Sequence, residues 1–158
     1  MAQKESYAYI DTPAVLIDLD QMRINMDRLQ RAADEARVRM RPHTKVHQCP
    51  DIARMLIANG AQGVEVGPIA QAEAMVDGGI HDVLIAHPFY GETKWEILDR
   101  LLRRPNLEIS ACVDMIEQAA GIDKVAKRYG RVMPLLIKLE TGICRFGVAP
   151  GETALKLA

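Results

Sequence analysis

From residue 38 the chain alternates short β-rich runs with longer stretches whose apolar residues recur every three to four positions. The β-rich runs are VRMRPHTK, GVEV, DVLIAH, LEISACV and VMPLLIKLE, and they start near residues 38, 63, 82, 107 and 132. Between them lie the helical patterns DIARMLIANG, AQAEAMVDGG, TKWEILDRLLRR and DMIEQAAGIDKVAKRYG, and a further helix starts at Pro150. Pro50 fits the first turn of its helix, and Gly60, Gly78, Gly79 and Gly130 fit the ends of theirs. A repeat of about 25 residues is the length of one strand–helix unit, and helices that carry the chain back across a sheet make the strands parallel. VLIA and PLLI are continuous rather than alternating, which predicts strands covered on both faces. Five such units fit either a complete doubly wound sheet or the first part of a (β/α)8 barrel, which needs about 250 residues. The last helical pattern stops at Ala158 soon after it begins, which favours the incomplete barrel.

Bulk composition removes several classes of function. The 158 residues carry a formal net charge of −1, so no global field recruits nucleic acid or an anionic membrane surface. No apolar run approaches membrane-spanning length, and the N-terminus, MAQKESYAYI, lacks the basic-then-apolar order of a secretory leader. Cys49, Cys112 and Cys144 are odd in number and widely spaced, which fits reduced thiols and a cytoplasmic setting. No linker divides the chain, so residues 1–158 read as one domain.

The stretch RVRMRPHTKVH, residues 37–47, concentrates the candidate chemistry. In a strand, Arg39, Arg41, His43, Lys45 and His47 would share one face, and Val38, Met40, Pro42 and Val46 the other. In a barrel the basic set would point inward, with its later members at the C-terminal mouth. Neighbouring cations there would call for an anionic partner and would favour the neutral, nucleophilic amine of Lys45, able to form a Schiff base. Two other readings stay open: a solvated basic edge strand, and a metal site on the His43–His47 spacing. Pro42 opposes the helix that such a spacing needs. Elsewhere, His87 stands at a strand end and His81 in a surface turn. Asp20 reads as a helix N-cap, Trp95 as core packing and Cys144 as a packed small residue.

Several of these motifs together resemble pyridoxal-phosphate enzymes of the alanine-racemase fold, in the branch of D-threonine aldolase and D-serine dehydratase. DTPAVLIDLDQMRINM, residues 11–26, resembles that family's opening strand and helix, and RPHTKVH resembles its RPHxKTHK motif. AEAMVDGGIHDVLIA, residues 72–86, resembles the stretch after the second barrel strand, and ETGICRFGV resembles DTGxxRxGV. The resemblance implies that Lys45 carries the cofactor and that Arg145 hydrogen-bonds its phenolic oxygen. It makes His43 and His87 candidate catalytic residues, and His43 and His47 candidates at the cofactor. The chain departs from the pattern at Gln48, where lysine is common, and at Glu140, where aspartate is usual. It departs again at Gly67 and Pro68, where several members have Gln-Lys, and at His87, where tyrosine is usual.

The expected fold is therefore α/β, about five of the eight strands of an alanine-racemase-type TIM barrel, with the family's C-terminal β domain absent. The implied activity is retro-aldol cleavage of D-β-hydroxy amino acids to glycine and an aldehyde. A D-serine dehydratase or amino-acid racemase, and a non-catalytic barrel fragment, are the alternatives. The implied partners are a small-molecule amino-acid substrate and, in full-length form, a second copy in a homodimer. A divalent metal of the full-length enzymes would have its ligands outside this chain.

Overall fold

The computed structural model describes residues 7–158, so the first part of MAQKESYAYI lies outside the described residues. The elements run α1 (Leu19–Glu35), α2 (Pro50–Ala58), β1 (Val64–Val66), α3 (Ile69–Asp77), β2 (Asp82–Ile85), α4 (Glu92–Leu102), β3 (Glu108–Val113), α5 (Ile116–Lys127), β4 (Leu135–Ile137) and α6 (Glu152–Leu157). The strands form one sheet in the order β1-β2-β3-β4, every pair parallel, with Val64 beside Val83, Val83 beside Ile109 and Ala111 beside Leu135. Sequential order with one crossover helix per step is barrel topology. A doubly wound sheet reverses its strand order part-way, which this sheet does not do.

Alternation within each strand sorts the two faces. Val64, Val66, Val83, Ile85, Ala111 and Val113 are buried together with Ile69, Met75, Leu98, Leu101, Ile122 and Val125 of the helices. Each such valine or isoleucine contributes about 1.5–3 kcal/mol when fully removed from water. Trp95 packs against this core, its ring centroid 5.5 Å from that of Phe89 and close against Gly121, where a Cβ would meet the indole at 2.5 Å. The opposite face carries Glu65, Leu84, Ser110 and Cys112, all only partly buried. The both-face coverage expected of PLLI is therefore corrected: Leu136 is exposed on the open face, and Leu135, in register with buried Ala111, is exposed on the other because β4 is the edge strand of the described sheet.

The first expected strand is also corrected. Residues 40–44 run beside β1 and share backbone bonds with it, from Gln62 N–H to Met40 O, from Glu65 N–H to Pro42 O and from Thr44 N–H to Glu65 O. Only one bridge forms, His43 with Glu65, because Pro42 has no N–H to give and the chain turns at Thr44. Thr44 O accepts the amides of His47 and Gln48, and its side chain is fully buried. The alternation of the basic stretch ends there, so Val46, expected on the covered face, is 88% exposed.

At the N-terminal side, residues 11–18 take no strand partner among the described residues, and Val15 is exposed. The cap of α1 is Asp18, whose carboxylate accepts the Gln21 amide at 2.9 Å. Asp20, expected in that role, lies inside the first turn beside Arg23, because the capping oxygen must reach back from three residues before its amide.

Candidate active site

Four of the sequence-predicted site residues meet at the C-terminal ends of the strands, in a cleft of about 320 Å³. His43 and Lys45 enter from the turn before α2, His87 follows β2, and Arg145 comes from the loop after β4. Glu65 of β1 and Lys138, just past β4, complete the charged lining. Three cations and one carboxylate leave the cleft two positive charges in excess when both histidines are neutral.

Each cation is held differently. Lys138 donates its Nζ proton to Ala86 O at 2.9 Å, which fixes it across the strand ends. The Arg145 guanidinium lies 5.1 Å from the centre of the Phe146 ring, and that ring sits 5.0 Å from His87. The side chain of Lys45 is exposed, and no hydrogen bond ties its amine to another described residue. Of the two lysines, Lys45 is the one whose amine is at liberty to react.

The histidines are poised as neutral groups. Burial pushes the His43 pKa below its ordinary value, and Lys45 and Lys138 push the same way, while Glu65 opposes them. Burial lowers His87 as well, helped by Arg145, Lys138 and His43. His43 Nδ1 accepts the Lys45 amide at 3.1 Å, so the neutral ring carries its proton on Nε2. His47 is not brought into this cleft. Its Nδ1 accepts the Cys49 amide at 3.0 Å, its Nε2 is buried without a partner among the described residues, and burial lowers its pKa.

The inward basic face is corrected in the same way. Arg41 reaches Asp82 with two bonds, 2.5 and 3.0 Å, at the opposite end of the sheet, so its anionic partner is a protein carboxylate rather than a ligand. Arg39 lines that lower cleft too. Cys144, expected to be packed, is exposed with φ +54° in the arginine loop. His81 is exposed, as its turn position suggests.

Lys138 and Glu65 were not marked by any motif. Their signal is a charged residue inside an otherwise apolar strand, IKL and VEV, which points to a strand face turned away from the hydrophobic core.

With this geometry in view, comparison with known proteins decides the family. The profile described as "Alanine racemase, N-terminal domain" matches residues 17–158. The chain belongs to this family. Within it, a D-threonine aldolase of Arthrobacter sp is 32% identical over 96% of the chain and 39% of its own length. A D-threo-3-hydroxyaspartate dehydratase of Delftia sp. (strain HT23) is 33% identical over 94% of the chain and 39% of its own length. The crystal structure of D-threonine aldolase from Filomicrobium marinum superposes with a TM-score of 0.89 at 38% identity, covering 96% of this chain and 40% of that one. An alanine racemase of Clostridium difficile 630, at 21% identity and a TM-score of 0.72, shares the fold. The chain thus spans well under half the length of each of these relatives.

Proposed function

We propose that this chain supplies the lysine-bearing part of a pyridoxal-phosphate-dependent lyase that cleaves D-β-hydroxy amino acids to glycine and an aldehyde. The observation that carries the reading is the meeting of Lys45 and Arg145, a hundred residues apart in sequence, in one cleft at the C-terminal ends of parallel strands. The donor set fits the cofactor: an untethered amine for its aldehyde, a guanidinium for its phenolic oxygen and an excess of positive charge for a phosphorylated ligand. Bound pyridoxal phosphate supplies the electron sink.

The residues of the chain divide the remaining work. Lys45 would hold the cofactor through its amine. Arg145, its guanidinium 5.1 Å from the Phe146 ring centre, would hold the phenolic oxygen. His87 and His43, kept neutral by burial and neighbouring cations, can each take a proton, as cleavage of a β-hydroxy substrate requires at its hydroxyl. The domain boundary follows the same reading: residues 1–158 are the N-terminal part of the barrel, and the family's β domain lies outside them.

A dehydratase is the second reading, supported by the Delftia sp. relative at an identity matching that of the aldolase. The two part at one bond, Cα–Cβ against Cβ–O. The protein loaded with pyridoxal phosphate is expected to release glycine from D-threonine and none from L-threonine. Ammonia and a keto acid from D-threonine, without glycine, would replace the aldolase reading with the dehydratase.

A further inference from the structure

Arg145 stands on a loop whose backbone is costly to form. Between Glu140 and Val148 the chain doubles back on itself, sealed by Glu140 N–H to Val148 O and Val148 N–H to Lys138 O, both 2.9 Å. Inside that closure Gly142 has φ +120°, Cys144 +54° and Gly147 +107°. The cysteine in this region is strained, because its Cβ crowds the following carbonyl oxygen. Gly147 has no alternative, since a Cβ there would lie 2.7 Å from Glu140 N and from the Leu139 carbonyl carbon. Such a backbone persists only where something over-determines it.

Here that something is a carboxylate. Left-handed residues alternating with right-handed ones turn successive N–H groups toward one point, making an anion-binding concavity. The concavity is filled from within the chain: Glu140 accepts the amides of Gly142 and Arg145, the latter at 3.2 Å, and those of Ile143 and Cys144 face it as well. These amides hold the Glu140 carboxyl below its usual range, so the filling group is an anion. The far end of the loop is tied separately, Asp114 after β3 accepting the Gly147 amide at 2.9 Å. Asp114 is itself fixed by Gln118 of α5, whose side-chain oxygen accepts the Asp114 and Met115 amides.

We propose that Glu140 is a positioning residue for Arg145, with Asp114 as its partner at the far end of the loop. Neither carboxylate lines the cleft. Glu140 folds the main chain that delivers the guanidinium to the cleft, and Asp114 anchors that fold to β3. The inference rests on the cofactor reading for Lys45 and Arg145, and it explains why a carboxylate five residues before the arginine matters.

The test uses the full 158-residue chain with pyridoxal phosphate as the probe. Amide hydrogen exchange without cofactor reads the loop, and the cofactor concentration giving half-maximal borohydride-trapped adduct reads Arg145. Glu140→Gln keeps shape and one acceptor but loses the charge. It is expected to speed exchange at Gly142 to Arg145 by about tenfold or more, as loss of charge-assisted bonds implies. Sheet amides should stay protected, and the half-labelling concentration should rise by a similar factor. Glu140→Asp restores most of both, and Asp114→Asn loosens Gly147 with a smaller effect on labelling. In an Arg145→Met background, Glu140→Gln adds nothing further to the labelling defect, because its effect passes through the guanidinium. Unchanged exchange in Glu140→Gln overturns the proposal. So does a loosened loop with unchanged labelling, or a full additional defect on top of Arg145→Met. A wild-type chain that takes no label overturns the Lys45 reading instead, and exchange still decides the role of Glu140 in the loop.

Discussion

The two ends of the parallel sheet handle positive charge in opposite ways. At the N-terminal end Arg41 is matched to Asp82 by two bonds, and Arg131 donates to the carbonyls of Leu102, at 3.2 Å, and Leu107. The cleft there is the larger, about 720 Å³, but two of its three arginines, Arg41 and Arg131, are already committed to protein oxygens. At the C-terminal end Lys138 leans on one carbonyl and Arg145 on an aromatic face, while among the described residues Lys45 has no bonded partner for its amine and Glu65 is the sole carboxylate lining the cleft. Charge spent on protein partners builds structure, whereas charge left in excess is available to an anionic ligand. Cleft size alone would have pointed to the other end.

The comparison breaks most visibly if the N-terminal pair is cut. Arg41→Met leaves the Asp82 carboxylate, about four-fifths buried, without its partner, and should cost about 2–4 kcal/mol in urea unfolding. Arg41→Met combined with Asp82→Leu should recover most of that loss, and neither change should alter cofactor labelling at the other end. Labelling that falls in step with the stability of Arg41→Met would mean that the two ends are not separate.

A smaller effect sharpens the C-terminal side. His43 and His87 have folded-state pKa values below 6.5, so below that pH the unfolded chain binds more protons than the folded one. Their contribution to stability is complete above pH 6.5 and is lost as the pH falls through the folded values. Replacing both by glutamine should shrink the fall in unfolding midpoint across that window, leaving the part contributed by His47, which burial lowers as well. A midpoint that rises on acidification there would contradict the neutral assignment.

Much of the fold was legible in sequence because strand and helix periods are local: β2 begins at Asp82, where the pattern put it, and β3 at Glu108. The stretch around Lys45 was only half legible. Its period of two holds for Arg39, Arg41 and His43 and fails after Thr44, where backbone bonds from His47 and Gln48 bend the chain. Lys45 therefore reaches the cleft from a turn, and His47 is half-buried elsewhere. Arg145 could be named from a motif, but not the anion that folds its loop, because a nest shows only in backbone angles. Lys138 was hidden for a related reason: its role depends on the Ala86 carbonyl just past β2, two strands away, a contact no single segment encodes.

Two lysines share the candidate cleft, and they give the account its most direct test. The chain is incubated with pyridoxal phosphate, reduced with borohydride, digested and mapped by mass. The reduced pyridoxyl group is expected on Lys45 and not on Lys138, with labelling abolished in Lys45→Ala and kept in Lys138→Met. A label on Lys138, or undiminished labelling in Lys45→Ala, would contradict the assignment of Lys45 as the cofactor's lysine.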